Sequence, residues 1–167
     1  DKEIIKKVFK LAKKHNKKVF AVVANMSIAL ERRDFLQSTD CFVCNLQEAG
    51  ILFSDNYADK SAEEMVQLLS RKVQAARIPR MIVTMGDRGA VYADMNGEKG
   101  FCPARKVHVK DTTGAGDAFC AGVSIGLTYG KTVAESIEIG SMLAASVITS
   151  SENVCPRFPP AELGLEF

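Results

Sequence analysis

Residues 61–86 read SAEEMVQLLSRKVQAARIPRMIVTMG, and the change of period inside this stretch decides the fold class. Ser61, with Glu64 three places on, makes a capping-box pattern. Ala62, Met65, Val66, Leu69, Val73 and Ala76 then recur at helical spacing on one face. After Pro79 the pattern gives way to the short β-branched run MIVTMG, which reads as a strand. A similar run, CFVCNL at 41–46, precedes the helix, so the piece is a strand, helix, strand unit. Its strand interiors carry no charge, as in a parallel sheet covered on both faces.

Working outward, KVFAVVANM at 18–26 reads as a further strand, while GDRG at 86–89 is a turn. AVYAD, MNGEKG and FCPARKVHV, together covering 90–109, read as short strands with turns between them. Two helices follow. GDAFCAGVSIGLTYG at 116–130 is one, and the other opens at Thr132 with a second capping box completed by Glu135 and runs apolar to about Ile148. From Ile139 that helix is apolar on nearly every side, which predicts burial. At the N-terminus Ile4, Ile5, Val8, Leu11 and Ala12 form one apolar stripe, and lysines take the opposite face of the same helix. The pattern starts inside a helix with no strand before it, an expectation of the later part of a larger domain.

The chain has 167 residues, 47% hydrophobic and 25% charged, which suits one globular domain with a sizeable core rather than a disordered chain. A formal charge of +2 gives no general case for a nucleic acid, and the basic N-terminal helix reads as a solvated surface. No signal peptide and no membrane-length apolar run is seen, so a cytoplasmic protein without membrane partners is expected. Five cysteines lack the second pair or nearby histidines of a zinc site and read as reduced core thiols.

The chemistry concentrates in KDTTGAGDAF at 110–119. A small-residue turn entering a helix leaves backbone N–H groups unpaired at the positive end of the helix dipole, and glycine keeps side chains out of a phosphate's way. The string is not a dinucleotide fingerprint, because Phe119 stands where a small residue would be needed. A nicotinamide-dependent dehydrogenase is therefore disfavoured. Asp117 is the informative residue: a carboxylate repels a stored phosphate, whereas phosphoryl transfer needs a base beside it. On its own Asp117 is equally readable as a helix cap.

DTTGAGDAFCAGVS closely resembles the C-terminal signature of the ribokinase-like (PfkB-type) carbohydrate kinases. NLQE at 45–48 is similar to that family's Asn-x-x-Glu element and TMGDRG at 84–89 to its Thr-x-Gly-x-x-Gly nucleotide loop, so the resemblance runs from about Lys18 to Val154. It implies a ribokinase-like three-layer α/β/α fold with a mostly parallel sheet, residues 1–167 being the C-terminal part of one kinase domain whose N-terminal half and β-sheet lid are missing. The implied activity moves the γ-phosphoryl of ATP to a primary alcohol of a sugar or nucleoside.

In that reading Asp117 is the catalytic base, and the amides of Gly114, Ala115 and Gly116 form the anion hole. Asn45 and Glu48 act near Mg²⁺ and the phosphates, with Glu48 reaching the metal through water. Thr84, Met85, Gly86, Asp87, Arg88 and Gly89 lie against the nucleotide, joined by Gly116 and Asp117. Asp111 and Thr113 match a monovalent cation site, K⁺ in many members, although TSSENVCP with Glu152 replaces the Gly-Ala pair that such members carry.

The strand at 18–26 ends in Ala24, Asn25 and Met26 where many sugar kinases carry Asp-x-Asn-x-Arg. Only Asn25 corresponds, which keeps nucleoside kinases, pseudouridine kinase in particular, beside the sugar kinases. Without the half that selects and encloses the acceptor, little activity is expected of these residues alone, and a non-catalytic nucleotide-binding module stays open. A homodimer is compatible with the resemblance.

Overall fold

The computed structural model describes residues 2–22, 26–150 and 158–165. Its elements run α1 (Lys2–Lys14), β1 (Phe20–Val22), α2 (Met26–Glu31), α3 (Arg33–Gln37), β2 (Cys41–Asn45), α4 (Leu46–Phe53), α5 (Ala62–Ala76), β3 (Arg80–Thr84), β4 (Gly89–Asp94), β5 (Lys99–Pro103), α6 (Ala115–Thr128) and α7 (Val133–Ile148). One five-stranded sheet has the order β1-β2-β3-β4-β5. β1 pairs parallel with β2 and β2 parallel with β3, while β4 returns antiparallel on β3. The chain divides into two compact units, residues 1–86 with 90–101 and residues 87–89 with 102–167.

The first unit is built on the strand, helix, strand piece. Ser61 Oγ accepts from the Glu64 N–H at 3.2 Å and Glu64 Oε2 accepts from the Ser61 N–H at 2.9 Å, which starts α5 where the sequence pattern places it. The helix ends at Arg77, whose φ of 55° is left-handed. Alternate residues Phe42 and Cys44 of β2, Met81 and Val83 of β3, and Val91 and Ala93 of β4 join Leu52 of α4 and Met65, Leu69 and Val73 of α5 in one core. Such alternation places successive side chains on opposite sheet faces. Val43 and Ile82, pointing the other way, are buried as well. This agrees with the uncharged strand interiors.

In the second unit α6 and α7 touch backbone to backbone. A Cβ on Gly122 would lie 2.6 Å from Gly140 Cα, and one on Gly126 would lie 2.6 Å from Ser136 Oγ, so only small residues permit the contact. Thr132 Oγ1 accepts from the Glu135 N–H at 3.2 Å and starts α7 as the sequence pattern indicates.

α7 from Ile139 is covered, as its apolar sequence indicates: Ile139, Gly140, Leu143 and Val147 are buried, and the residues between them are partly buried. Three expectations are corrected. Of the strand expected at 18–26, Phe20–Val22 forms β1, Lys18 and Val19 precede it without strand pairing, Met26 opens α2, and residues 23–25 lie outside the described residues. The run after Pro103 forms no strand, because residues 104–109 have no ladder partner. The apolar stripe of α1 is split, with Ile5, Phe9 and Ala12 half-buried and Ile4, Val8 and Leu11 exposed, since only one edge of the stripe meets α3, where Phe9 stacks on Phe35 at 5.5 Å.

Candidate active site

The carboxyl ends of parallel strands are where an open α/β sheet leaves room for ligands. In the first unit β2 ends at Asn45 and β3 at Thr84, and these two residues are register partners. Asn45 Oδ1 accepts from the Glu48 N–H at 2.9 Å and Glu48 Oε2 accepts from the Asn45 N–H at 2.8 Å. The Asn-x-x-Glu element is thus the reciprocal capping box of α4, a helix that aligns Glu48 with the strand end. Neighbouring Cys44 is fully buried, and burial followed by the charge of Glu48 pushes its thiol well above the ordinary range, so it stays protonated and unreactive.

Thr84 Oγ1 donates to the Cys44 carbonyl at 3.4 Å, tying the two strand ends together. Met85 is only 4% exposed, and its side chain belongs to the core, which leaves its backbone for any ligand contact. Gly86 has a φ of 64° and open space where a Cβ would project. It begins a 3-10 turn through Arg88.

In the second unit Asp87 and Arg88 are exposed. Gly89 has a φ of 120°, and a Cβ there would meet the Cys102 carbonyl oxygen at 2.1 Å and the Ala104 nitrogen at 2.8 Å. The two glycines of the loop therefore serve different ends: Gly86 keeps a surface open, and Gly89 lets β4 close on the strand beside it.

The KDTTGAGD turn is held at both sides. Lys110 donates its N–H to the Ile148 carbonyl at 2.8 Å, at the end of α7, and Asp111 Oδ1 accepts from both the N–H and the Oγ1–H of Thr113 at 2.8 Å. Those bonds, the backbone one foremost, hold the Asp111 carboxyl below its ordinary value. Gly114 follows with a φ of 81°, a left-handed cap that favours glycine. The first α6 bond then runs from the Ala118 N–H to the Gly114 carbonyl at 2.9 Å.

Of the three amides expected to face an anion, that of Ala115 donates back to the Thr112 carbonyl at 3.2 Å. Those of Gly114, Gly116 and Asp117 have no acceptor among the described residues. The Asp117 N–H is thus a donor that sequence reading missed; the rule that the first turn of a helix leaves its amides unpaired was the available signal. Gly116 has nothing within 4 Å of a would-be Cβ, and its φ is not in the left-handed region. The fold has no need of glycine there, whereas a closely approaching ligand does.

Asn25 and Glu152 lie outside the described residues. Among those described, no three histidine, cysteine, aspartate or glutamate side chains converge on a metal position, and no helix is long and apolar enough to cross a membrane. A single carboxylate, Glu48, with an amide beside it suits a Mg²⁺ ion that keeps most of its water and phosphate ligands.

The chain belongs to the pfkB family of carbohydrate kinases, whose family model matches residues 1–156. It is 32% identical to the guanosine-inosine kinase of Exiguobacterium acetylicum over 151 residues, covering 90% of this chain and 49% of that protein. The adenosine kinase of Sinorhizobium meliloti superposes with a TM-score of 0.75 at 25% identity, covering 98% of this chain and 49% of that one. For the fold alone, the Arabidopsis thaliana ribokinase, solved with ribose and ATP, gives a TM-score of 0.81 at 22% identity, covering 96% of this chain and 51% of that one. The fold is ribokinase-like. The chain spans about half the length of these proteins.

Proposed function

We propose that these residues are the C-terminal, phosphoryl-transfer part of an ATP-dependent kinase acting on a hydroxymethyl group of a sugar or nucleoside. The observation that carries this reading is the start of α6, where the amides of Gly114, Gly116 and Asp117, without an acceptor among the described residues, accompany the Asp117 carboxylate. Asp117 takes the proton of the acceptor alcohol as its oxygen attacks the γ-phosphorus, and the bond to the ADP oxygen breaks. The amides stabilise the charge on the transferring oxygens, a donor set worth about 3 kcal/mol each when removed in comparable sites.

Thr84 to Gly89 lie along the nucleotide, with Met85 contributing backbone only. Asn45 and Glu48 orient water around Mg²⁺, which neutralises phosphate charge when bound. Asp111 and Thr113 border a monovalent cation. For K⁺ the fit is partial, because Asp111 Oδ1 already accepts two hydrogen bonds.

The similarity to a guanosine-inosine kinase over 90% of the chain favours a nucleoside acceptor over a free sugar. The test is ADP formation from ATP by the protein joined to the half of that kinase it does not match, over a panel of purine nucleosides, pseudouridine, ribose and 2-keto-3-deoxygluconate. Nucleoside-dependent ADP formation supports the reading. ATP binding with no acceptor-dependent turnover would make these residues a nucleotide-binding module instead.

A further inference from the structure

The turn from Lys110 to Ala118 is anchored at two points, and one small apolar cluster supports both. At its start the N–H groups of Lys110 and Asp111 donate to the Ile148 carbonyl at 2.8 and 3.4 Å. At its end the Ala118 N–H donates to the Gly114 carbonyl at 2.9 Å. Ala118 is also the first buried residue of α6, since Ala115 is half-buried and Gly116 and Asp117 are exposed. It shares a buried cluster with Leu143 and with Val147, the residue before Ile148 on α7. Close-packed side chains pass a displacement on to their neighbours, so this cluster sets where both anchors stand.

Phe158 and Leu163 pack against the same cluster. Their segment is shaped by its own bonds: Pro160–Leu163 form a 3-10 turn, Gly164 closes it with a φ of 65°, and the Leu165 N–H returns to the Pro160 carbonyl at 3.0 Å. Leu165 is buried. Neither Phe158 nor Leu163 has a group that could bind phosphate or move a proton. We infer that both are positioning residues: by packing against Ala118, Leu143 and Val147 they hold the amides of Gly114, Gly116 and Asp117, and the Asp117 carboxylate, in register for transfer. Ile125 packs against the cluster too, but about two helical turns beyond Ala118, where loss of its side chain costs packing without releasing the turn. The catalytic consequence rests on the kinase reading, whereas the positioning itself is open to a measurement without turnover.

The test compares Phe158→Ala, Phe158→Leu, Leu163→Ala and Ile125→Ala in the protein joined to the unmatched half of the E. acetylicum kinase, with steady-state kinetics and amide hydrogen exchange on each. Phe158→Ala and Leu163→Ala are expected to lower kcat by about tenfold to a hundredfold, as misplaced reacting groups do, with the acceptor KM within about twofold of the parent. The Ala118 amide should exchange about tenfold faster in both. Phe158→Leu, which refills most of the volume, should return both readouts toward the parent. Ile125→Ala should lower the melting temperature and leave kcat and Ala118 exchange unchanged. Equal effects of Ile125→Ala and Phe158→Ala on both readouts overturn the inference, and so do parental values in Phe158→Ala and Leu163→Ala. A parent without acceptor-dependent turnover fails the kinase reading alone; Ala118 exchange then decides, faster in Phe158→Ala but not in Ile125→Ala supporting the positioning role and any other pattern overturning it.

Discussion

Asn45 and Thr84 end adjacent parallel strands as register partners, and Thr84 Oγ1 reaches the carbonyl of Cys44, the residue before Asn45. The same Asn45 caps α4 through its bond with the Glu48 amide, so its side chain serves the fold besides the site role proposed for it. Asn45→Ala is expected to cost about 1 kcal/mol of stability, the usual worth of an N-cap. Asn45→Asp keeps the cap and, under the proposed function, adds a negative charge beside the phosphates, so it should hold stability and lose activity. Urea denaturation alongside steady-state kinetics separates the two.

Gly89 and Gly116 should respond in opposite ways to alanine. At Gly89 the left-handed φ and the 2.1 Å approach to the Cys102 carbonyl predict a loss of about 2 to 4 kcal/mol. Gly116→Ala meets nothing and gains helix propensity, so its melting temperature should hold or rise while kcat falls. Thermal melts of the two variants, with ADP formation for the second, decide the matter.

The α6–α7 contact gives a third expectation. Gly122→Ala places a methyl carbon 2.6 Å from Gly140 Cα, and the resulting separation of the helices should cost about 1 to 3 kcal/mol. A urea midpoint equal to that of the parent would show the helices able to part without cost.

Tyr57 supplies a pH dependence. Its hydroxyl is pushed up to about 12, first by burial and then by the charge of Asp55. The unfolded chain releases this proton near pH 10, so the folded state binds it more tightly, and the stability it contributes is complete below pH 10 and lost by about pH 12. Urea midpoints between pH 9 and 11.5 should fall more steeply for the parent than for Tyr57→Phe. Equal slopes would contradict the assignment.

The elements legible in the sequence were those with a local signal strong enough to act alone. Capping boxes at Ser61 and Thr132 started α5 and α7 where expected, and the apolar runs at 41–46 and 81–86 became β2 and β3. α2 and α3, with six and five residues, are too short to show a period, and tertiary contacts such as Phe9 on Phe35 hold them. Val107 and Val109 alternate like strand residues, yet alternation makes a strand only when a neighbour completes the ladder. At the site, the Gly114 to Asp117 turn was readable because its chemistry lies in consecutive residues. The diversion of the Ala115 amide to Thr112 depends on backbone geometry that composition does not encode.

Asp117→Asn in the protein joined to the unmatched half of the E. acetylicum kinase tests the central claim most directly, with turnover and ATP affinity measured on the same preparation. The account predicts a fall in kcat of two to four powers of ten with ATP affinity and melting temperature unchanged, since only the proton acceptor is lost. Turnover within about twofold of the parent would contradict it.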